Sequence, residues 1–388
     1  MRVVYVSYDG AMDPLGASQV VPYLLGLSRN GFRISLISFE KPERWAQVGD
    51  REALERRLAA EGISWNPLRY HRKPRIPATL LDVFAGSRLV RALVRQTGAQ
   101  IVHCRGDVAT VMARWAALPG QVRILYDMRA FFSDQRAESG SWRRGGLVDR
   151  AVRRLEAGNL RRANGLVVLT EVVPGVLAAR RPALPPLRVI PTCADLEAFH
   201  PRNPATVPDF HLVFAGTLGT VYMAAEMVAF ARSVTAIEGG RALFLTPQVD
   251  EARRAGAGPD WADVRSVTPA EVPNWLRRAR ALFFFLRPTS STRAACPTKL
   301  AEALATGLPV VANPGIGDLD AILERESVGV FVREFSRAAY EEAGARLRRL
   351  LQDPETTNRC RRLAETRYSL EAGVAAYRDL YQEIARET

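Results

Sequence analysis

FFFLRPTSSTRAACPTKLAEALATGLPVVANPGIGDLDAIL, residues 283–323, reads in turn as strand, loop, helix and strand. An apolar run, residues 281–286, ends at Leu286, and a short continuous run of this kind fits a strand buried on both faces. Three cations, Arg287, Arg293 and Lys299, follow within 13 residues. Pro297 opens a helix, where a missing N–H costs nothing. The first turns of that helix hold Thr298, Lys299, Leu300 and Glu302, and Gly307-Leu308-Pro309 closes it before a second apolar run, 309–312.

The same alternation extends through the chain. In the first half the expected strands are residues 3–6, 34–38, 101–103, 124–126, 166–169 and 189–190, with amphipathic stretches such as 20–27 and 89–94 between them. A segment carrying Pro191, Pro201, Pro204 and Pro208 then reads as a linker. Strands resume at 212–215, 242–245, 264–267, 281–286, 309–312 and 329–332. Alternating strands and helices argue for parallel sheets covered on both faces. The expected class is α/β: two doubly wound, Rossmann-like domains facing a cleft, over residues 1–200 and 209–366. The apolar spacing of Leu370, Val374, Tyr377 and Tyr381 marks a last helix, 369–384, that packs on either domain.

At 388 residues, two domains are the natural expectation. With 47% hydrophobic and 24% charged residues, the composition excludes a disordered chain. No run of 18 apolar residues exists, and the N-terminus MRVVYVSYDG lacks an apolar leader. Cys104, Cys193, Cys296 and Cys360 are far apart and are expected to be reduced thiols of a cytoplasmic protein. The net charge of +13 is uneven: residues 1–200 hold 30 Lys+Arg against 18 Asp+Glu, and the remainder is nearly neutral. A basic half fits an anionic substrate or an anionic membrane. Nucleic acid is not expected, because no basic motif is interleaved with aromatic residues.

Several constellations fit chemistry. The turn Gly216-Thr217-Leu218-Gly219 follows a strand and precedes a helix, so it is a candidate phosphate cradle. It has no cation of its own, and Arg287 and Lys299 are the expected partners. Lys299 suits a phosphate as a point charge, and the Glu302 carboxylate can accept from two adjacent ribose hydroxyls. The alternative is a weak i, i+3 surface pair. After the first strand, Gly16, Ser18 and Gln19 form either a second ligand loop or a plain strand-to-helix turn with Ser18 near the N-cap. Asp127 and Arg129 follow a strand and should face the cleft, Asp127 to accept a hydrogen bond or proton and Arg129 to hold an anion. Asp318 and Asp320 in GDLD are expected to serve a helix start, Asp318 as N-cap, and no metal is expected. Residues 142–162 hold seven Arg and two acids, with an apolar stripe at Leu147, Val148, Ala151, Val152 and Leu155. That stripe is expected to pack on its own sheet, leaving the arginines to lipid headgroups.

PTKLAEALATGLPVV (297–311), the Gly216–Gly219 turn and the two-domain layout resemble glycosyltransferase family 4, retaining GT-B enzymes that use nucleotide-activated sugars. SYDGAMDPLGASQVVPYL (7–24), ILYDMRAFFSDQR (124–136), VVLTEVV (167–173) and VIPTCADLEAF (189–199) resemble members from polysaccharide and glycoconjugate pathways. The resemblance implies a donor set of Gly216, Thr217, Gly219, Arg287, Thr298, Lys299, Leu300 and Glu302, with Glu302 on the ribose. It also implies a His or Arg facing the reacting sugar, here His103 or Arg105. This sequence departs at Ala294, where the family often has a sugar-binding Glu, and at Thr220, Val221 and Tyr222, where Arg and Lys are frequent.

The resulting expectation is a retaining glycosyltransferase with no cofactor beyond its nucleotide-diphosphate sugar. Its acceptor is a sugar, lipid-linked or small molecule, and the protein touches the inner face of an anionic membrane. A nucleotide-sugar epimerase of the same fold and a non-catalytic partner subunit are the alternatives.

Overall fold

In the computed structural model, residues 1–180, 183–219 and 221–386 are described. They form two units, Met1–Ile190 with Gly373–Thr388, and Pro191–Ala372. The Pro-rich segment therefore belongs to the second unit, and the first ends ten residues before residue 200. By sequence, the first unit holds 32 Lys+Arg against 19 Asp+Glu, and the second 22 of each, so the whole net charge of +13 lies on the first.

The first unit carries β1 (Arg2–Ser7), β2 (Arg33–Glu40), β3 (Ser64–Arg69), β4 (Ile101–Arg105), β5 (Arg123–Asp127), β6 (Gly165–Val168) and β7 (Leu187–Val189). All pair in parallel, in the order β3-β2-β1-β4-β5-β6-β7. Strand β3 was not expected: Pro67 sits inside SWNPLR, and a proline fits only where its missing N–H faces no partner, here at the sheet edge. The second unit carries β8 (Phe210–Ala215), β9 (Ala242–Leu245), β10 (Ala262–Arg265), β11 (Ala279–Phe284), β12 (Val310–Ala312) and β13 (Gly329–Phe331). Their order is β10-β9-β8-β11-β12-β13, again all parallel. In each sheet the direction of winding reverses once, between β1 and β4 and between β8 and β11. Loops leaving the carboxyl ends of those neighbouring strands diverge and open a crevice, the usual ligand position in such sheets.

The last helix, Leu370–Arg386, counts with the first unit from Gly373 onward. Val374, Tyr377 and Tyr381 are buried, with the Tyr377 ring edge-on to Tyr23 at 5.5 Å and Tyr381 edge-on to Phe32 at 5.3 Å.

The stripe on the helix Leu147–Arg162 departs from expectation. Leu147, Val148, Ala151 and Leu155 are exposed, and the buried positions are Asp149, Gly158 and Asn159. Polar bonds hold that inner face: Asp149 accepts from Ser133 Oγ (2.7 Å) and Gly145 N (2.9 Å), and Asn159 Nδ2 donates to the Asp107 carbonyl (3.1 Å). These bonds satisfy buried groups whose orphaning would be costly, so they set the helix rotation against the apolar stripe. Among the described residues no helix is long and apolar enough to cross a membrane.

Candidate functional site

At the carboxyl edge of the second sheet, the turn after β8 meets the segment after β11. Val221 O accepts from Arg287 N (2.9 Å), Met223 N donates to Phe285 O (3.0 Å), and Tyr222 bridges Leu286. This short antiparallel zip carries the Tyr222 ring over the start of the helix Thr298–Ala305. Lys299 lies beneath it, its ammonium bonded to the Tyr222 hydroxyl and 3.9 Å from the ring centre. Phe214 and Phe284 complete an aromatic box at 4.9 and 5.6 Å. Lys299 is buried and pairs with no carboxylate among the described residues, so ring faces and one hydroxyl stabilise its charge. Gly216 adopts a φ of +135°, and a Cβ there would come within 3.1 Å of Lys299 Nζ. Backbone conformation and close approach thus both require glycine. Thr217 and Arg287 are exposed, Thr298 and Gly219 half-buried, and Leu300 belongs to the core. Thr220 lies outside the described residues.

Glu302 sits three residues after Lys299 on the same helix, half-buried. Burial pushes its carboxyl up to about 7, and the charge of Lys299 offsets this only in part. No described residue donates a hydrogen bond to that carboxylate. A folded value above the unfolded 4.5 means that stability is complete below about 4.5 and declines as pH rises toward 7. Glu302→Gln, which keeps the shape without the charge, is therefore expected to stabilise the ligand-free protein by up to about 3 kcal/mol near pH 8 and to change it little near pH 4. Denaturant titrations at the two pH values check this, and an equal effect at both contradicts it.

In the first unit, His103, Arg105, Asp127 and Arg129 do come together, but as a buried cluster. Asp127, expected to face the cleft, has no exposed surface. Its carboxylate accepts from Arg129 Nη1 (3.0 Å) and the Tyr377 hydroxyl (3.0 Å), with Arg105 Nη1 at 3.7 Å. Burial alone would raise the Asp127 carboxyl; Arg129, His103 and Arg105 outweigh it and hold the group well below the usual carboxylate range. Burial lowers His103, against the pull of Asp127, and so favours the neutral imidazole. With one proton, Nε2–H donates to Asp127 (3.4 Å) and Nδ1 accepts from the Tyr381 hydroxyl (2.6 Å). Arg129 keeps part of its surface exposed, and Arg105 is buried. Arg105 Nε and the hydroxyl of Ser7 are buried without hydrogen-bond partners among the described residues. These two residues are register neighbours on β1 and β4, at the reversal point of the first sheet.

The loop after β1 is closed internally. The amides of Ala11 and Met12 donate to the Glu40 carboxylate (2.7 and 3.2 Å), so donors suited to an anionic ligand are already engaged. Gly16 serves this loop: a Cβ there would lie 1.9 Å from the Gly10 carbonyl oxygen. Ser18, expected near an N-cap, lies inside the short helix Pro14–Gln19 and donates to Pro14 O (2.9 Å); Gln19 is buried. Asp318 does stand at the N-cap position of the helix Leu319–Ile322, with Asp320 in the first turn, but its side chain makes no cap bond. It accepts from Arg367 Nη2 (2.9 Å) of the helix Thr356–Arg367, and Asp320 accepts from the Gly315 amide (3.0 Å) of its own loop, so both acids serve the local structure. Among the described residues, no group of three His, Cys, Asp or Glu could hold a metal ion.

Residues 241–376 match the family model described as glycosyl transferase-like. The match spans the Lys299 and Glu302 helix. The whole fold is that of GT-B glycosyltransferases. Sucrose-phosphate synthase from Thermosynechococcus elongatus superposes with a TM-score of 0.73 at 15% identity, covering 100% of each chain. The catalytic domain of starch synthase IV from Arabidopsis thaliana, solved with ADP and acarbose, gives 0.67 at 13% identity, covering 100% of this chain and 99% of that one. A putative UDP-N-acetylglucosamine 2-epimerase from Listeria monocytogenes gives 0.64 at 13% identity, covering 100% and 97%. No curated protein sequence matches the chain.

Against this glycosyltransferase fold, sequence reasoning overlooked four participants. Tyr222 was noted only as a departure from Arg and Lys, yet it supplies the hydroxyl on Lys299. Tyr377 and Tyr381 were read for their apolar spacing, and their hydroxyls close on Asp127 and His103. Glu40 ends a strand with seven buried positions in a row, where a carboxylate signals an internal partner.

Proposed function

We propose that the protein is a retaining glycosyltransferase, a hexosyltransferase that moves a sugar from a nucleotide-diphosphate donor to an acceptor in polysaccharide, glycolipid or other glycoconjugate biosynthesis. The observation that carries this reading is the meeting of Gly216, Lys299 and the unbonded Glu302 carboxylate at the reversal point of the second sheet. Glu302 accepts from the ribose hydroxyls. Lys299 and Arg287 face the diphosphate, where negative charge grows as the glycosidic C–O bond breaks and its electron pair leaves with phosphate; in the Gly216 turn the amides of Gly216 and Leu218 are already engaged by Leu245 O (2.9 Å) and Gln248 Oε1 (2.8 Å). The acceptor oxygen bonds to the anomeric carbon on the same face, and its proton passes to the departing phosphate, so no enzymatic base is required. A retained configuration follows from this front-face path.

The basic first unit holds the acceptor, a sugar, lipid-linked or small molecule, near Arg105 and Arg129. The buried Nε of Arg105 makes no hydrogen bond and meets the Asp9 carboxylate only at 3.9 Å, which supports a polar or anionic group there. We assign the protein to the cytoplasm, peripheral to the inner face of the membrane, with no cofactor and no metal. A thermal-shift panel of nucleoside diphosphates and their sugars tests the donor reading, since a ligand of the native state raises apparent stability. One nucleoside diphosphate is expected to stabilise the protein, and equally so with chelator present; no shift with any of them contradicts the proposal. The epimerase reading, supported by the shared fold with the Listeria protein, predicts product from the donor alone.

A further inference from the structure

Two helices of the first unit expose apolar rows flanked by unpaired cations. Ile76, Leu80 and Phe84 lie four residues apart along the helix Arg75–Thr97, with Phe84 59% exposed. Leu81 stands beside them, and Arg72, Lys73 and Arg88 border the row. On the helix Leu147–Arg162 the exposed stripe begins at Leu147, 78% exposed, and runs to Leu155, between Arg143, Arg150 and Arg154. None of these six cations pairs with a carboxylate among the described residues.

The two rows share one edge of the unit. Both helices pack against the helix Gly106–Trp115 between them. Each leads into the amino end of a strand, Ile101 of β4 and Gly165 of β6, so each begins at the opposite, carboxyl edge of the sheet. Arg75 Nη1 donates to Ser141 Oγ (3.3 Å), tying the start of the first helix to the loop that enters the second. Both apolar rows occupy the early turns of their helices, next to this tie. Water-soluble surfaces rarely keep such rows, and a protein partner of ordinary composition would not use so many uncompensated cations.

We propose that this face is a docking surface for an anionic lipid bilayer: Ile76, Leu80, Phe84 and Leu147 enter the headgroup–acyl boundary, and the flanking arginines meet lipid phosphates. Apolar insertion and electrostatic attraction then add, as on an interfacial amphipathic helix, and the net charge of +13 confined to this unit brings it to the bilayer. The inference rests on the peripheral-membrane part of the proposed function and not on sugar transfer.

Flotation of the full chain with phosphatidylcholine vesicles, with and without phosphatidylglycerol, tests it. Binding is expected to need phosphatidylglycerol and to weaken as salt rises. The double variant Arg150→Ala, Arg154→Ala is expected to lower the partition coefficient roughly 30-fold. Phe84→Asp with Leu147→Asp is expected to lower it at least about 10-fold at every salt concentration. All four positions are exposed, so folding is spared, and unchanged nucleotide binding by the variants separates a failure here from a failure of the donor site. Equal binding to neutral vesicles, or partition unaffected by both double variants, overturns the proposal. So does loss of a dimer in sedimentation of the apolar variant without loss of flotation, which makes the face an interface between copies of this chain.

Discussion

Asp127→Asn is expected to destabilise the first unit by about 3–5 kcal/mol, because it removes the carboxylate that compensates half-buried Arg129 and, together with Asp9, buried Arg105. The loss should appear as a lower denaturant midpoint for that unit. Tyr377→Phe, which removes one bond to the same carboxylate and keeps the ring, should cost about 1.5–3 kcal/mol. The pH dependence has a defined sign. Asp127 is held below its unfolded range, so its contribution is complete above about pH 4 and is lost as pH falls toward the folded value. Wild type should therefore lose stability on acidification faster than Asp127→Asn. Parallel curves, or a midpoint shift for Asp127→Asn below that of Tyr377→Phe, would contradict the charge-cluster account.

The second large effect concerns the proposed donor site, where Lys299 and Glu302 should fail in different ways. On the proposed donor binding, Glu302→Ala removes one or two charge-assisted bonds to ribose. At about 1.5–3 kcal/mol each, nucleotide affinity should drop roughly 10-fold to more than 100-fold. Lys299→Ala removes charge from the leaving diphosphate, where it matters most in the transition state, so turnover should fall more than donor binding. Lys299→Arg should rescue poorly. The ammonium fits a box of three rings with the Tyr222 hydroxyl at one corner, and a planar guanidinium is a different shape. A plain surface pair would leave kinetics intact, since such pairs are worth a few tenths of a kcal/mol.

Much of this was legible because the strands are short apolar runs between turn residues, and every expected strand lies where an observed one does. Strand β3 escaped for a physical reason: at the edge its faces are only half-buried, so no apolar run marks it, and Pro67 argues against a strand. The helix Leu147–Arg162 misled in the opposite direction. Its stripe has good helical spacing, but spacing predicts a face and not what the face meets, and bonds through Asp149 and Asn159 decided the rotation. The pairing of Lys299 with Glu302 was legible because the two are three residues apart on one helix. Tyr222, 77 residues before Lys299, was not. Asp127 was seen as a polar residue at a strand end, and its burial depends on Tyr377, 250 residues away, closing over it. Local chemistry is written in the sequence, whereas the partner that neutralises or covers a charged group is set by topology.

Titration calorimetry of the preferred nucleoside diphosphate against folded wild-type and Glu302→Ala protein bears most directly on the central claim, that the donor nucleotide is gripped in the second unit between Lys299 and Glu302. The account predicts an affinity roughly 10-fold to more than 100-fold weaker in the variant, with circular dichroism unchanged. Equal affinity in the two proteins would contradict it and remove the donor from this site.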